Sequence, residues 1–130
     1  RDLHLSLRRQ RQMCIRDRSE QDLSGNVPTD LSLLSNLMFL DLSYNQLDGE
    51  IPNELGSLTN LLGLDLGNNM LSGSIPGELG SLTSLMTLNL SENQLSFDFY
   101  SNLPSFRSYK NLLVLVSTKS KLFSLKLVSV

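Results

Sequence analysis

The amino-acid sequence predicts a right-handed α/β solenoid, in which one short unit stacks on copies of itself and a short parallel sheet lines the concave side. The first observation is a 24-residue spacing of prolines, glycines and asparagines. These columns are Pro28/Pro52/Pro76, Gly25/Gly49/Gly73 and Asn45/Asn69/Asn93. The second observation is that leucines keep the same spacing, in the columns Leu37/Leu61/Leu85, Leu40/Leu64/Leu88, Leu42/Leu66/Leu90 and Leu47/Leu71/Leu95. So short a unit cannot bury its apolar face alone, and its repetition therefore indicates stacking.

Within one repeat, residues 37–60, the first predicted element is a short strand. Leu40, Asp41 and Leu42 alternate apolar and polar, which is typical of a strand with its leucines inward and its aspartate outward. Asn45 follows where the chain must turn away from the sheet. An inward asparagine can bond backbone groups that such a turn leaves unpaired. We therefore assign a structural asparagine ladder to Asn45, Asn69 and Asn93.

The second half of the repeat is predicted to return along the convex side. Gly49 is expected to adopt tight or left-handed backbone geometry, and Ile51-Pro52 to be extended. Residues 53–57 are expected to form a short helical or 3₁₀ turn. The leucines expected to point inward from this half are Leu47, Leu55 and Leu58.

The densest copies of the pattern are LMFLDLSYNQLDGEIPNELGSLTN (37–60) and LLGLDLGNNMLSGSIPGELGSLTS (61–84). They resemble the plant-type leucine-rich repeat, usually written LxxLxLxxNxLSGxIPxxLGxL, and the match runs from Leu23 to about Gln94. The resemblance implies part of the ectodomain of a plant receptor-like kinase or receptor-like protein. The parent protein would then lie in the plasma membrane with this segment on the extracellular side, and its partner would be a protein or peptide.

Residues 1–18 lack this register. The segment RRQRQMCIRDR (8–18) agrees residue for residue with one reading frame of a transposon adapter used to make sequencing libraries. We therefore predict that residues 1–18 are an adapter-derived artefact, disordered, and outside the fold. The arginines of this segment then give no nucleic-acid site, and Cys14 and His4 give no catalytic or metal site.

Charge separates the remaining chain into an acidic body and a basic end. Residues 19–130 hold eleven acidic and five basic side chains, a net charge of −6 against −2 for the whole chain. Every acid lies at or before Asp98 and every base at or after Arg107. An acidic body argues against nucleic-acid binding. No apolar run approaches the ~20 residues that span a bilayer, so no membrane contact is expected, and the pattern implies no cofactor or metal.

The outward positions of the predicted strands are the candidate binding surface, because solenoids bind partners on their concave side. The candidate partner-binding residues are Phe39, Asp41, Ser43, Tyr44, Asp65, Thr87 and Asn89. Phe39 and Tyr44 are expected to be exposed aromatic residues, which are common in binding hot spots. Asp41 and Asp65, one strand apart, could form an acid/base pair, but an open and wet face favours binding over catalysis.

Asn89-Leu90-Ser91 is an N-glycosylation sequon. A glycan on Asn89 would project from the concave face and limit access to it. The signal has low specificity, because the strand consensus itself often contains N-L-S.

Residues 97–130 depart from the pattern, and two interpretations stay open. One is a degenerate fourth repeat, in which Leu103, Phe106, Tyr109, Leu112 and Val114 occupy apolar positions. The other is an out-of-frame tail after about Phe97, indicated by the change in charge and the loss of Gly/Pro punctuation. The segment YKNLLVLV (109–116) is strand-like in either case.

The predicted function is protein or peptide recognition by three leucine-rich repeats, residues 19–96, within a larger receptor-like ectodomain. The alternatives are an intracellular repeat scaffold and a non-functional truncated translation product. No enzyme is predicted, since the Gly-rich loop and HRD run of a kinase do not occur in the sequence.

Overall fold

The computed structural model describes residues 14–15, 22–96, 111–117 and 122–128. Three 3₁₀ turns, η1 to η3, cover Thr29–Leu33, Asn53–Ser57 and Gly77–Ser81. The ten strands are β1 Cys14–Ile15, β2 Ser24–Asn26, β3 Phe39–Asp41, β4 Gln46–Asp48, β5 Gly63–Asp65, β6 Ser72–Ser74, β7 Thr87–Leu90, β8 Gln94–Ser96, β9 Asn111–Ser117 and β10 Leu122–Val128. This alternation of strand and 3₁₀ turn matches the predicted solenoid.

One parallel sheet carries the concave side. Strands β3, β5 and β7 lie side by side, with Leu40, Leu64 and Leu88 as direct neighbours. Paired residues on adjacent strands are therefore 24 apart in the sequence, because each repeat contributes one strand at the same position in its coil. Side chains of a strand alternate between faces, so one face of this sheet is leucine and the other is polar.

The returning half of each repeat forms smaller parallel pairs, β2 with β4 and β6 with β8. An isolated bridge between Glu50 and Ser72 connects β4 to β6 in the stack. Gly25 lies in β2, Gly73 lies in β6 and Gly49 directly follows β4. Their φ angles are +87° at Gly25, +72° at Gly49 and +77° at Gly73. The predicted left-handed geometry is confirmed, and it explains why the column is glycine.

Each convex turn begins after a proline, as the predicted turn at residues 53–57 does in the structure. Pro52 has φ −65° and ψ 131°, so the ring holds the chain extended before the turn starts. The turn then closes with Leu55 N–H donating to the Pro52 carbonyl at 3.3 Å. Neighbouring turns approach closely, since a Cβ built at Gly56 would lie 2.8 Å from the Glu78 carbonyl carbon. Glycine here permits η2 and η3 to stack.

The core is a column of leucines that fills the space between the sheet and the convex turns. Its members include Leu40, Leu42, Leu47, Leu55, Leu58, Leu61, Leu64, Leu66, Leu71, Leu79, Leu82, Leu85, Leu88, Leu90 and Leu95. Leu55, Leu58 and Leu61 have no exposed area at all. Burial of one such side chain contributes about 1.5–3 kcal/mol relative to exposure. The predicted inward positions are therefore confirmed.

The N-terminal edge of the sheet carries the two-residue strand β1. Cys14 pairs with Phe39 and Ile15 with Leu40, in parallel. This pairing departs from the expected disorder at two residues, because the free edge of β3 presents backbone groups that an extended segment can bond. The pairing is offset by 25 residues and so lies outside the 24-residue register. The rest of the 1–18 segment is outside the described residues, and its adapter origin stays a prediction.

The C-terminal edge of the sheet lies outside the 24-residue register. A degenerate fourth repeat would place Leu112 and Val114 beside Leu88 and Leu90, but Leu88 pairs with Val114 and Leu90 with Val116. A slip of two residues keeps the same side chains inward, so the core accepts it. Val114 and Val116 are buried and Leu113 is exposed.

After β9 the chain reverses, and β10 pairs antiparallel with β9 from Leu122↔Ser117 to Val128↔Asn111. The predicted strand within residues 109–116 is confirmed by β9. The expected positions of Phe97, Leu103, Phe106 and Tyr109 lie outside the described residues. Whether residues 97–130 are a degenerate repeat or an out-of-frame tail stays open.

Candidate functional site

The candidate site is the outward side of β3, β5 and β7, called here the concave face. Its residues form two rows across the strands. The upper row is Phe39, Gly63 and Thr87, and the lower row is Asp41, Asp65 and Asn89. The parallel register sets both rows, because residues 24 apart become neighbours on adjacent strands, spaced about 4.8 Å. Five polar or aromatic residues and one glycine therefore lie within a patch three strands wide.

The upper row contains a hollow at Gly63. A Cβ built there would lie 3.0 Å from Phe39 Cδ1 and 3.2 Å from Thr87 Oγ1, so these two side chains flank the gap. The hollow measures about 140 Å³. Its lining is completed by Leu40, Leu64, Asp41 and Asp65. Its size suits one side-chain group of a ligand, since pockets for whole drug-sized ligands measure about 300–1,000 Å³.

The lower row is held in place by short-range hydrogen bonds. Asp41 Oδ1 accepts from the Ser43 backbone N–H at 3.0 Å and from Ser43 Oγ at 2.6 Å. Asp65 Oδ1 accepts from the Gly67 N–H at 2.9 Å. The same i to i+2 arrangement therefore recurs in two repeats. It fixes each side chain in one orientation before any partner arrives, which lowers the entropy cost of binding.

Asn89 is the third residue of the lower row, and it bonds to its neighbour Asp65. Its Oδ1 accepts from the Ser91 N–H at 3.1 Å and from Ser91 Oγ at 2.6 Å. Its Nδ2 donates to Asp65 Oδ2 at 3.2 Å. Asn89 therefore positions the Asp65 carboxylate from the neighbouring strand. The use of the Asn89 sequon for a glycan stays a prediction.

The structure corrects the expected exposure of two candidate residues. Ser43 is only 4% exposed, because its hydroxyl turns back to Asp41, so it supports the site rather than facing a partner. Phe39 is half-buried, since its ring leans over the strand where Gly63 has no side chain. Tyr44 is 58% exposed, as expected. Its φ of 54° is unusual for a non-glycine residue and is shared by the equivalent positions Asn68 and Glu92.

The asparagine ladder lies directly behind the concave face, where each strand ends. Asn69 is 9% exposed and its Oδ1 accepts from the Leu47 N–H at 3.0 Å. Its Nδ2 lies within hydrogen-bond distance of the carbonyls of Leu42 at 2.9 Å, Leu66 at 3.1 Å and Gly67 at 3.2 Å. One side chain therefore bonds its own repeat and the preceding one.

The other two rungs follow the same scheme. Asn45 Oδ1 accepts from Leu23 N–H and Asn93 Oδ1 accepts from Leu71 N–H, both at 2.9 Å. The Nδ2 of Asn93 also donates to the Leu66 carbonyl of the preceding repeat at 2.8 Å. These are the contacts expected of inward asparagines at a turn, and they position the strand ends that carry the lower row.

A second hollow, on the returning side of the solenoid, was not anticipated from the sequence. It measures about 660 Å³ and has Glu50, Glu54 and Glu78 among its lining residues. Val27, Ile51 and Ile75 form its floor beside the proline column. The sequence does contain a signal for this hollow. Three of its lining residues, Asn26, Glu50 and Ser74, are spaced by 24 and each follows a glycine with positive φ.

Two other kinds of site are absent from the described residues. Within 14–15, 22–96, 111–117 and 122–128, no group of three or more histidine, cysteine, aspartate or glutamate side chains has metal-binding geometry. No helix in that part of the chain is long and apolar enough to cross a membrane.

Comparison with known proteins gives a family match and a set of solved relatives. The family model described as Leucine Rich Repeat matches residues 36–58, 60–82 and 84–106. Comparison with curated protein sequences gives no match.

Three solved plant structures illustrate the similarity. The BIR3–SERK2 complex of Arabidopsis thaliana is 43% identical, with a TM-score of 0.57, over 58% of this chain and 41% of that one. The plant peptide hormone receptor RGFR1 in complex with RGF2 is 41% identical, with a TM-score of 0.67, over 75% and 15%. The Arabidopsis receptor kinase HAESA, solved with the peptide hormone IDA and the co-receptor SERK1, is 36% identical, with a TM-score of 0.65, over 78% and 17%. The chain thus spans less than half the length of each.

Proposed function

Since the chain belongs to the leucine-rich repeat family, we propose that it is a ligand-recognition segment of a plant receptor-like ectodomain. In this proposal, the concave face contacts a protein or peptide ligand. The parent protein lies in the plasma membrane with the segment on its extracellular side. The role is recognition rather than catalysis, because Asp41 and Asp65 lie on an open sheet face.

The observation that carries the proposal is the preorganised concave face. Phe39 and Thr87 border a hollow of side-chain size, and Asp41 and Asp65 are each held by a hydrogen bond to their own repeat. Groups fixed in this way lose little conformational entropy on binding. The similarity to receptors solved with peptide hormones, RGFR1 with RGF2 and HAESA with IDA, supports the same role for this segment.

Charge indicates the chemistry of the partner. Residues 22–96 contain nine aspartates and glutamates and no lysine, arginine or histidine. A surface with charge of one sign attracts ligands with charge of the opposite sign and raises their association rate. We therefore propose a partner with net positive charge, whose association rate falls as salt concentration rises.

Alanine scanning of the ectodomain that contains this segment tests the proposal. Phe39→Ala, Asp41→Ala and Tyr44→Ala are each expected to weaken ligand binding by about 2 kcal/mol, roughly 30-fold, as hot-spot residues do. Phe39 and Tyr44 offer apolar area for burial, and Asp41 offers a fixed acceptor. Isothermal titration calorimetry measures the change for each variant.

The matched controls lie on the convex side, where Glu54→Ala and Glu78→Ala remove charge without touching the concave face. Both positions are exposed, and both variants are expected to bind within about 0.5 kcal/mol of the unmodified protein. The opposite pattern, with losses at Glu54 and Glu78 and none at Phe39, Asp41 and Tyr44, contradicts recognition by the concave face.

A further inference from the structure

We propose that the hollow at Gly63 seats an arginine side chain of the ligand, with its guanidinium between Asp41 and Asp65. This inference rests on the proposed recognition by the concave face and specifies which ligand group occupies its centre. The hollow of about 140 Å³ is large enough for one side-chain group and too small for a folded partner element. Its occupant is therefore a single side chain.

The walls of the hollow favour a flat group with polar edges. Phe39 and Thr87 line the hollow on opposite sides of Gly63. A Cβ at Gly63 would already lie 3.0 Å from Phe39 Cδ1 and 3.2 Å from Thr87 Oγ1, so a ligand group would lie above that position, against the Phe39 ring. Guanidinium groups pack on aromatic rings, and an ammonium group has no plane to match such a wall. The Thr87 hydroxyl adds an acceptor on the opposite side.

The rim of the hollow favours positive charge. Asp41 and Asp65 are direct neighbours on adjacent strands, about 4.8 Å apart along the sheet. Asp41 Oδ1 is occupied by Ser43, while Asp41 Oδ2 accepts no hydrogen bond from any described residue. The free oxygen belongs to a side chain that is already fixed in orientation. It is therefore an acceptor ready for a donor from outside.

The geometry distinguishes arginine from lysine. A guanidinium carries five N–H donors in one plane, so it can donate to two carboxylates one strand apart at the same time. An ammonium is a compact point charge and satisfies one carboxylate well. Because residues 22–96 contain no basic side chain, nothing in this part of the chain neutralises the two aspartates. In this proposal, the ligand supplies the neutralising group.

The test uses the full chain and three peptide probes, Ac-Gly-Gly-Xaa-Gly-Gly-amide with arginine, lysine or citrulline at Xaa. Citrulline has nearly the same shape as arginine without its charge. Two-dimensional ¹⁵N NMR titrations are expected to show saturable shifts at the Gly63 and Gly67 amides with the arginine probe. The citrulline probe is expected to bind at least about tenfold more weakly, and the lysine probe to fall between them.

Two variants with equal loss of charge locate the site. Asp41→Asn is expected to weaken the arginine probe about tenfold, because it removes one carboxylate and keeps the volume. Glu54→Gln, on the convex side, is expected to leave its affinity unchanged. The NMR spectra report at the same time that each variant is folded.

The outcomes separate this inference from the proposed function. Equal affinity for arginine and citrulline, or arginine shifts confined to the hollow near Glu50, Glu54 and Glu78, overturns the arginine site. In that event, the concave face still stands as the recognition surface if the alanine scan shows losses at Phe39 and Tyr44. If the arginine probe binds selectively but the alanine scan shows no loss of ligand binding at Phe39, Asp41 and Tyr44, the result would instead contradict the proposed function.

Discussion

Replacement of Leu64 by alanine is expected to destabilise the protein by about 2–5 kcal/mol, the usual range for a buried leucine. Leu64 lies at the centre of the concave sheet between Leu40 and Leu88 and is 1% exposed. The cavity it leaves touches the repeats on both sides. In a stack with nearest-neighbour coupling, one weakened unit destabilises both of its interfaces. Thermal or urea unfolding followed by circular dichroism measures the loss.

The adjacent residue is the control for this prediction. Asp65 points outward from the same strand, and Asp65→Ala removes hydrogen bonds with Gly67 and Asn89 but creates no cavity. Its cost is expected to be about 1 kcal/mol. Equal destabilisation by Leu64→Ala and Asp65→Ala would show that the assignment of inward and outward faces is wrong.

Replacement of Asn69 by alanine is expected to cost about 2–4 kcal/mol, nearly as much as loss of a core leucine. The amide of Asn69 bonds the Leu47 N–H and three carbonyls, two of which belong to its own turn. Alanine leaves these buried backbone groups unsatisfied, and each such group costs about 1–3 kcal/mol unless water replaces the bond. Chemical unfolding of the variant measures the total loss in free energy of unfolding.

Asn60→Ala makes the same chemical change at the surface. Asn60 Nδ2 donates to the Ser35 carbonyl at 2.9 Å, but both residues are exposed, so water can replace the bond. Its loss is expected to cost less than about 1 kcal/mol. If Asn69→Ala were as mild as Asn60→Ala, the ladder would not hold the repeats together.

The leucine core and the asparagine ladder could be predicted from the sequence because both roles demand the same residue in every repeat. Leu64 lies between Leu40 and Leu88 on the neighbouring strands, and Asn69 makes the same kind of backbone hydrogen bonds as Asn45 and Asn93, so their chemistry recurs every 24 residues. The same holds for the glycine column, where positive φ angles at Gly25, Gly49 and Gly73 exclude most other residues. A repeat period therefore reports the residues that stack on copies of themselves.

The details of the candidate site could not be predicted in this way, because they depend on residues that differ between repeats. Ser43 is buried by its bond to Asp41, whereas the same column contains Gly67 in the next repeat. Phe39 is half-buried because its neighbour on β5 is Gly63. The first outcome follows from a hydrogen bond within one repeat and the second from a neighbour on the adjacent strand. Inspection of one repeat column at a time compares neither pair of residues.

The register of β9 could not be predicted for a different reason. Alternation of apolar and polar residues fixes which face a strand presents, and a slip of two residues preserves that face. Leu112 and Val114 satisfied the alternation as well as Val114 and Val116 do. The 24-residue spacing ends before this strand, so nothing in the sequence pattern distinguished the two registers.

The most direct test of recognition by the concave face fills its hollow. Gly63→Phe adds a ring beside Phe39 and Thr87. Its Cβ alone would lie 3.0 Å from Phe39 Cδ1 and 3.2 Å from Thr87 Oγ1, so both side chains must shift to admit it, and the melting temperature reports whether the variant stays folded. Gly77→Phe adds the same ring to an exposed position on the convex side. In the ectodomain that contains this segment, Gly63→Phe is expected to weaken ligand binding at least about 100-fold with little change in melting temperature, and Gly77→Phe to bind normally. Undiminished binding by a folded Gly63→Phe variant would contradict recognition by the concave face.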